Sequence, residues 1–256
     1  MQSEAIHPTG ATPVVLPADF HHGFAVNEFG FYCIPDAVRQ REVCKLLLQG
    51  EVNEPRTLNL IRRLARGGDV ISGGAFVGDF LPAISQALAP GALLHSFEPN
   101  PMSQTATHVT IALNRLANVR FHPVAVGEAD GHLPFKVTRP GGEAMGGISR
   151  VVAEHQQGVT VEVPVRRLDD LVDASRRVSV LHLDVEGHEG PALQGATGIV
   201  TRDRPALILE ATRFRQARAL KAHLSETFRD IGYQLVGTME RNVFFLPEGL
   251  GRPVSG

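Results

Sequence analysis

The sequence predicts an α/β protein: a mostly parallel, doubly wound sheet that ends in an antiparallel hairpin. From Asp69 onward, short apolar runs ("DVISGG", "ALLHSFEP", "VRFHPVAVG", "VSVLHLDVEG" and "PALILEAT") alternate with helical patterns, the rhythm of parallel strands covered on both faces. The last two runs, "YQLVGTM" and "VFFLP", are separated only by "ERN", a link too short for anything but an antiparallel pair. At 256 residues and 43% hydrophobic content, the chain can bury one full core carrying appendages.

Taken in order, residues 1–19 are rich in Pro, Gly, Ala and Thr and are expected to form a loose arm. Residues 20–68 form a preface. There, "GFAVNEFGFYCIP" reads as a short strand or hairpin, and "DAVRQREVCKLLLQG" as a helix opened by Asp36 and closed by Gly50. "EPRTLNLIRRLARGG" sets Leu60, Ile61 and Leu64 on one helical stripe before Gly67 and Gly68 end it. Residues 69–247 form the main domain. Within it, an insertion at 132–165 has two alternating ends, "HLPFKV" and "VTVEVPV", that predict a hairpin, while Gly141, Gly142, Gly146 and Gly147 loosen its middle into a candidate lid. The helix "RQARALKAHLSETFRDIG" carries Leu220, Leu224, Phe228 and Ile231 at helical spacing until Gly232 stops it. Residues 248–256 are a tail.

Composition narrows the partners. With 25 Lys+Arg against 27 Asp+Glu and a net charge of -2, no broad field recommends nucleic acid or an anionic membrane. Clusters such as Arg62, Arg63, Arg66 and Arg213, Arg215, Arg218 are solvated helix faces. Cys33 and Cys44 lack a CxxC spacing, so neither a thiol metal cage nor a disulfide framework is expected. The N-terminus lacks the pattern of a secretory signal, and no run of about 18 apolar residues occurs. A reduced, cytoplasmic protein is the expectation.

Two strand ends carry chemistry. "DVISGGAFVGDF" runs a strand into a glycine turn and a helix, and Gly74 and Gly78 let the backbone turn and a ligand approach it. Glu98 follows Gly78 by 20 residues at the end of the next strand, where a carboxylate can accept both hydroxyl protons of a ribose. Both a nicotinamide dinucleotide and S-adenosylmethionine carry that ribose. Alanine at position 75, where a pyrophosphate needs the closest approach, tells mildly against the dinucleotide.

"LHLDVEGHEG" sets Asp184, Glu186, His188 and Glu189 at the mouth of a later strand facing the same crevice. Carboxylates that polarise a hydroxyl beside a histidine that titrates near neutrality suit proton abstraction from an alcohol. The bland alternative is that Asp184 caps the following helix and His188 and Glu189 are its solvated first turn. Alternate strand residues share a face, so Asp184, Glu186 and His188 were a conceivable metal set; one short segment seldom closes a cage, and no metal is expected.

In this order, "VISGGAFVGDF", "FEPNP", "VRFHPVAVG", "VPVRRLDDL", "LHLDVEGHE" and "RPALILEA" resemble the FkbM-type methyltransferase family over about residues 50–246. The resemblance implies a Rossmann-like, seven-stranded fold that binds S-adenosylmethionine, and O-methylation of a small-molecule acceptor such as a sugar or polyketide. Position by position, Gly74, Ala75 and Gly78 match the cofactor turn, and Glu98, followed by Pro99, matches the ribose-binding acid. Asp184, Glu186, His188 and Glu189 match the signature after the fourth strand. His188 is then the expected base, Asp184 its assistant, and Glu186 part of the acceptor pocket. Glu54 is placed to reach the methionine amino group, and Val126 or Glu128 the adenine. The chain departs from the family at Ser72, where Asp is usual, and at Phe76, where Asn is usual. Those departures leave open a catalytically silent binding domain, and the shared glycine turn and Glu98 a nicotinamide-dependent oxidoreductase, as alternatives.

Overall fold

A computed structural model describes residues 16–138, 141, 143–145, 150–151 and 158–249. Most of the expected N-terminal arm, most of the glycine-rich middle of the insertion and the end of the tail lie outside the described residues.

The central sheet has seven strands. Its parallel part comprises β3 (Asp69–Gly73), β4 (Leu94–Phe97), β5 (Val119–His122), β10 (Val178–Leu183) and β11 (Ala206–Glu210). β13 (Asn242–Leu246) lies antiparallel to β11 and to β12 (Gln234–Met239), so the closing hairpin forms as expected. The spatial order is β12-β13-β11-β10-β3-β4-β5. The chain steps outward from β3 to β5 and then returns to the other side of β3 as β10, which puts the switch point, and hence the crevice, between β3 and β10.

Alternating residues feed two cores. Ile71, Leu181, Leu183, Leu207 and Leu209 point to one face, under α6 (Glu189–Gln194), α7 (Thr197–Asp203) and α8 (Phe214–Thr227), which contribute Leu193, Val200, Leu220 and Leu224. Val70, Val180 and Ile208 point to the other, under Leu58 and Ile61 of α2 (Pro55–Leu64) and Leu81 and Ile84 of α3 (Leu81–Ser85). This two-sided burial is why these strands read as continuous apolar runs.

The preface is a hairpin, β1 (His22–Asn27) with β2 (Gly30–Pro35), packed with α1 (Glu42–Leu48) and α4 (Pro101–Leu113). The single helix expected from Asp36 to Gly50 does not form. A 3₁₀ turn covers Asp36–Val38, Asp36 makes no cap, and α1 starts only after Arg41, whose backbone is extended. Gly50, at φ +80°, ends it as expected.

"VRFHPVAVG", expected as one strand, is two. Pro123 has no N–H to give a ladder, and the chain leaves the central sheet there. β6 (Ala125–Val126) joins a second sheet in the order β6-β9-β7-β8, with β7 (Gly131–Lys136), β8 (Arg150–Val151) and β9 (Thr160–Arg166). β7 and β9 pair antiparallel from Gly131↔Val165 to Lys136↔Thr160, the hairpin its sequence predicts.

Candidate active site

A cavity of about 350 Å³ opens over the carboxyl ends of β3, β4 and β10. Gly74, Ala75, Glu98, Pro99, Glu54, Val126, Asp184, Glu186 and His188 all line it. Gly78 and Glu128 are not among its walls.

The turn after β3 is set by its neighbours. Gly74 takes φ +85°, and a Cβ there would overlap the Asp184 carbonyl oxygen. Its glycine is required by the end of β10, beyond any need for ligand approach. Gly78, at φ +79°, faces the Thr110 and Leu81 side chains and serves the packing of α4 and α3. The amides of Gly74 and Ala75 donate to the Phe97 carbonyl at 3.1 and 3.0 Å, and that of Phe76 donates to Glu98 Oε2 at 2.8 Å. Three successive N–H groups that would cradle a pyrophosphate are therefore occupied from within the protein.

Glu98 is buried and also accepts the Asn100 N–H through Oε1 at 2.8 Å. Each carboxylate oxygen thus keeps one lone pair, a pair of acceptors for a cis diol. Burial pushes its carboxyl up to about 7.

The strand-end motif divides its labour. Glu189 is buried and accepts the Val185 and Gly187 amides through Oε1 at 3.3 and 3.1 Å, lacing the loop shut. His188 occupies the N-cap position of α6 without a side-chain cap bond, and both it and Asp184 face the cavity. Burial holds the His188 imidazole below its ordinary value, and the exposed Glu128 opposes that from outside the cavity wall.

Carboxylate oxygens of Asp184, Glu186 and Glu210 lie within 4.8 Å of one another. Glu210, not His188, completes this trio. Its counter-ion is Arg241, which pairs with Glu210 and whose charge also faces Asp184, Glu186 and Glu54. Burial first, then Glu210 and Glu186, raises the Asp184 carboxyl well above the usual carboxylate range. Glu54 accepts Asn242 Nδ2 at 2.6 Å, and burial lifts it to about 7; Asp79 accepts Asn53 Nδ2 at 2.9 Å and is lifted to about 6.

Six non-glycine residues among those described take left-handed φ, and three of them, Glu54 (44°), Phe76 (48°) and Glu186 (51°), line the cavity. Each stores about 1–2 kcal/mol of strain, concentrated where function needs fixed geometry.

Arg241, Glu210 and Asp79 were not singled out by their sequence context. Glu210 had a usable signal, since it ends a parallel strand as Glu98 ends β4. Arg241 sits in the hairpin link, which is the two residues Glu240 and Arg241 because Asn242 already pairs with Met239, and whose shortness speaks to topology alone.

The raised carboxyls predict a pH response. Glu54 and Glu98 bind protons more tightly folded than at their ordinary 4.5, so the stability they lend is complete below that value and is lost as pH rises through about 7. The histidines depressed below 6.5, His95, His108, His122, His182 and His188, act oppositely, losing stability as pH falls. The unfolded imidazoles are still half-protonated at 6.5, so the two effects oppose each other from 4.5 to about a unit above 6.5. In thermal melts, the change in melting temperature from pH 6.5 to pH 8 is expected to be more favourable in Glu54→Gln than in wild type, because the variant lacks the carboxyl whose stabilisation is lost through about 7.

A family model, that of the methyltransferase FkbM domain, matches residues 72–235. The chain belongs to the FkbM methyltransferase family. Among solved structures, it is similar to the methyltransferase FkbM from Methylobacillus flagellatus KT, with 18% identity over 79% of this chain and 52% of that one at a TM-score of 0.49. It is also similar to Trm5b from Pyrococcus abyssi, with 10% identity over 91% of this chain and 56% of that one at a TM-score of 0.50. A third is M. jannaschii TYW2 in complex with AdoMet, at 12% identity over 91% of this chain and 87% of that one, with a TM-score of 0.47. This FkbM-family chain spans about half the length of the first two, and at such identities the likeness is one of fold: the Rossmann-like methyltransferase sheet. No curated protein matches the sequence. No helix among the described residues is long and apolar enough to cross a membrane.

Proposed function

We propose that the protein is an S-adenosylmethionine-dependent methyltransferase that methylates a hydroxyl of a small-molecule acceptor, such as a sugar or polyketide. The observation that carries the donor half is the acidic lining of the cavity, whose buried carboxyls a bound cation would draw back to their charged forms. Among the described residues, Glu42, Glu54, Asp79, Glu98, Asp184 and Glu186 line it against Arg41 and Arg241. Such walls favour a ligand with a sulfonium and an ammonium and disfavour a doubly charged pyrophosphate. With the turn amides also occupied, the nicotinamide alternative has no structural support.

The residues present fit the cofactor. Glu98 offers two free lone pairs to the ribose hydroxyls, with Ala75 and Pro99 beside it. Val126 and Val124 form an apolar wall for the adenine, and Glu54 an acid for the methionine ammonium. The silent-domain alternative is also weakened. Phe76 supplies its main-chain N–H to Glu98 while its ring packs in an apolar cluster, and Ser72 is paired with His182, so both departures leave the Glu98 pocket intact.

Bound there, S-adenosylmethionine supplies an electrophilic methyl group. The chain's own tasks are alignment, exclusion of water and removal of a proton. His188, held neutral by burial, receives the acceptor hydroxyl proton at a ring nitrogen. Asp184, held toward its neutral form, hydrogen-bonds the acceptor without competing as base, and Glu186 shapes the acceptor's side of the cavity.

Titration calorimetry tests the donor half. Saturable binding of S-adenosylhomocysteine and none of NAD is expected, and the reverse would overturn the reading. Glu98→Gln puts an amide donor against the Asn100 or Phe76 N–H and removes the charge, and is expected to weaken S-adenosylhomocysteine at least tenfold.

A further inference from the structure

His182 is a buried titratable group in the cavity wall that takes no part in the steps assigned to His188, Asp184 and Glu186. His182 lies on β10 directly opposite Ser72 on β3, and its Nδ1 is 3.0 Å from Ser72 Oγ. Its ring stacks on Phe80, with centroids 5.4 Å apart and planes 16° apart. Both His182 and Ser72 are 5% exposed, and both line the cavity with Phe80. Among the described residues Nε2 has no hydrogen-bond partner, yet it is not one of the solvent-sealed polar atoms left without one. His182 borders the cavity.

The tautomer follows from the serine. His182 is the one side-chain partner of Ser72 Oγ, so the buried hydroxyl proton is satisfied within the protein only by donating to Nδ1. Nε2 then carries the ring proton and presents a neutral N–H donor to the cavity. Burial supports this by pulling the imidazole down to about 4, which removes the doubly protonated form. Phe80 fixes the ring plane.

A donor at this place answers a need that the acidic walls create. The methionyl end of the cofactor carries a carboxylate as well as an ammonium. Glu54 and Asp79 suit the ammonium, but they repel the carboxylate. Of the two lining arginines, Arg241 is paired with Glu210, and Arg41 Nη2 donates to the Ala144 carbonyl at 3.0 Å.

We propose that His182, held by Ser72 and Phe80, is the binding residue for the cofactor's methionyl carboxylate, which it recognises through Nε2–H. The assignment rests on the S-adenosylmethionine reading above and gives Ser72 its reason: a small hydroxyl sets the imidazole tautomer where an aspartate would draw the proton to Nδ1 and leave Nε2 an acceptor.

The test compares two probes by calorimetry on the full chain: S-adenosylhomocysteine, and its decarboxylated analogue, which keeps the amine and lacks the carboxylate. In His182→Ala, S-adenosylhomocysteine is expected to weaken about tenfold to a hundredfold, the range of a hydrogen bond to a charged group, while the analogue stays within about twofold. Ser72→Ala, which frees the tautomer without opening a large void, is expected to weaken S-adenosylhomocysteine alone, by a smaller factor. His182→Gln, with an amide nitrogen near the Nε2 position, is expected to recover part of the loss. Equal weakening of both probes by His182→Ala, or of neither, overturns the assignment alone. A wild-type protein that binds neither probe overturns the cofactor reading and the assignment with it.

Discussion

Replacing Gly74 by alanine is expected to destabilise the protein by at least about 3 kcal/mol and to abolish binding of S-adenosylhomocysteine. Two independent costs add. The residue sits at φ +85°, where an L side chain is strained, and the new Cβ would overlap the main-chain carbonyl of Asp184. A backbone atom in a central strand end cannot swing aside as a side chain can, so the β3 turn and the β10 terminus must separate, and Ala75, Glu98 and Asp184 move with them. At this chain length each kcal/mol shifts the melting temperature by about 2–4 °C, so a drop near 10 °C is expected. Gly73→Ala is the control: its Cβ would meet the Leu183 and Val185 side chains at 3.2 and 3.4 Å, groups able to give way, and it is expected to cost about 1 kcal/mol or less. A Gly74→Ala protein as stable as wild type would mean that the two strand ends are not in the close contact on which the cavity depends.

The second large effect concerns turnover. His188→Ala is expected to lower kcat by about 10²–10⁴, the range for a general base, while S-adenosylhomocysteine binds unchanged, because the imidazole acts on the acceptor's proton. The readout is transfer of labelled methyl from S-adenosylmethionine into a small-molecule acceptor extract, beside calorimetry of the same variant. The base must be unprotonated, and burial holds His188 below 6.5, so the wild-type rate is expected to be level through neutrality and to fall as pH drops past a value under 6.5. Asp184→Asn keeps a hydrogen-bonding group but loses the carboxyl, and a smaller fall in kcat is expected. Full turnover in both variants with normal cofactor binding would remove these residues from the chemistry.

Much of this was legible in the chain itself. Strands buried on both faces announce themselves as apolar runs, and the closing hairpin was forced by its short link. Glu98 and Asp184 could be placed on one crevice because each ends a parallel strand. What stayed hidden depended on tertiary contact. The reason for Gly74 is a carbonyl 110 residues away in sequence, and Arg241 gains its meaning only when the β12–β13 turn carries it beside Glu210. The broken helix after Asp36 failed for a local reason that periodicity does not report: Arg41 is extended and starts a new helix. Proline inside "VRFHPVAVG" was a visible signal that the run of apolar residues on either side outweighed.

That proline has a wider consequence. Because Pro123 hands the chain from one sheet to another, the two ends of the cleft are bolted to different frames. Glu98, Asp184 and His182 belong to the central sheet, whereas Ala125, Val126 and Phe135 belong to the smaller one. A slight shift of one frame against the other would lengthen or shorten the groove while leaving every residue on either side in its own register, so the fit to a ligand can be retuned by spacing without a change of chemistry.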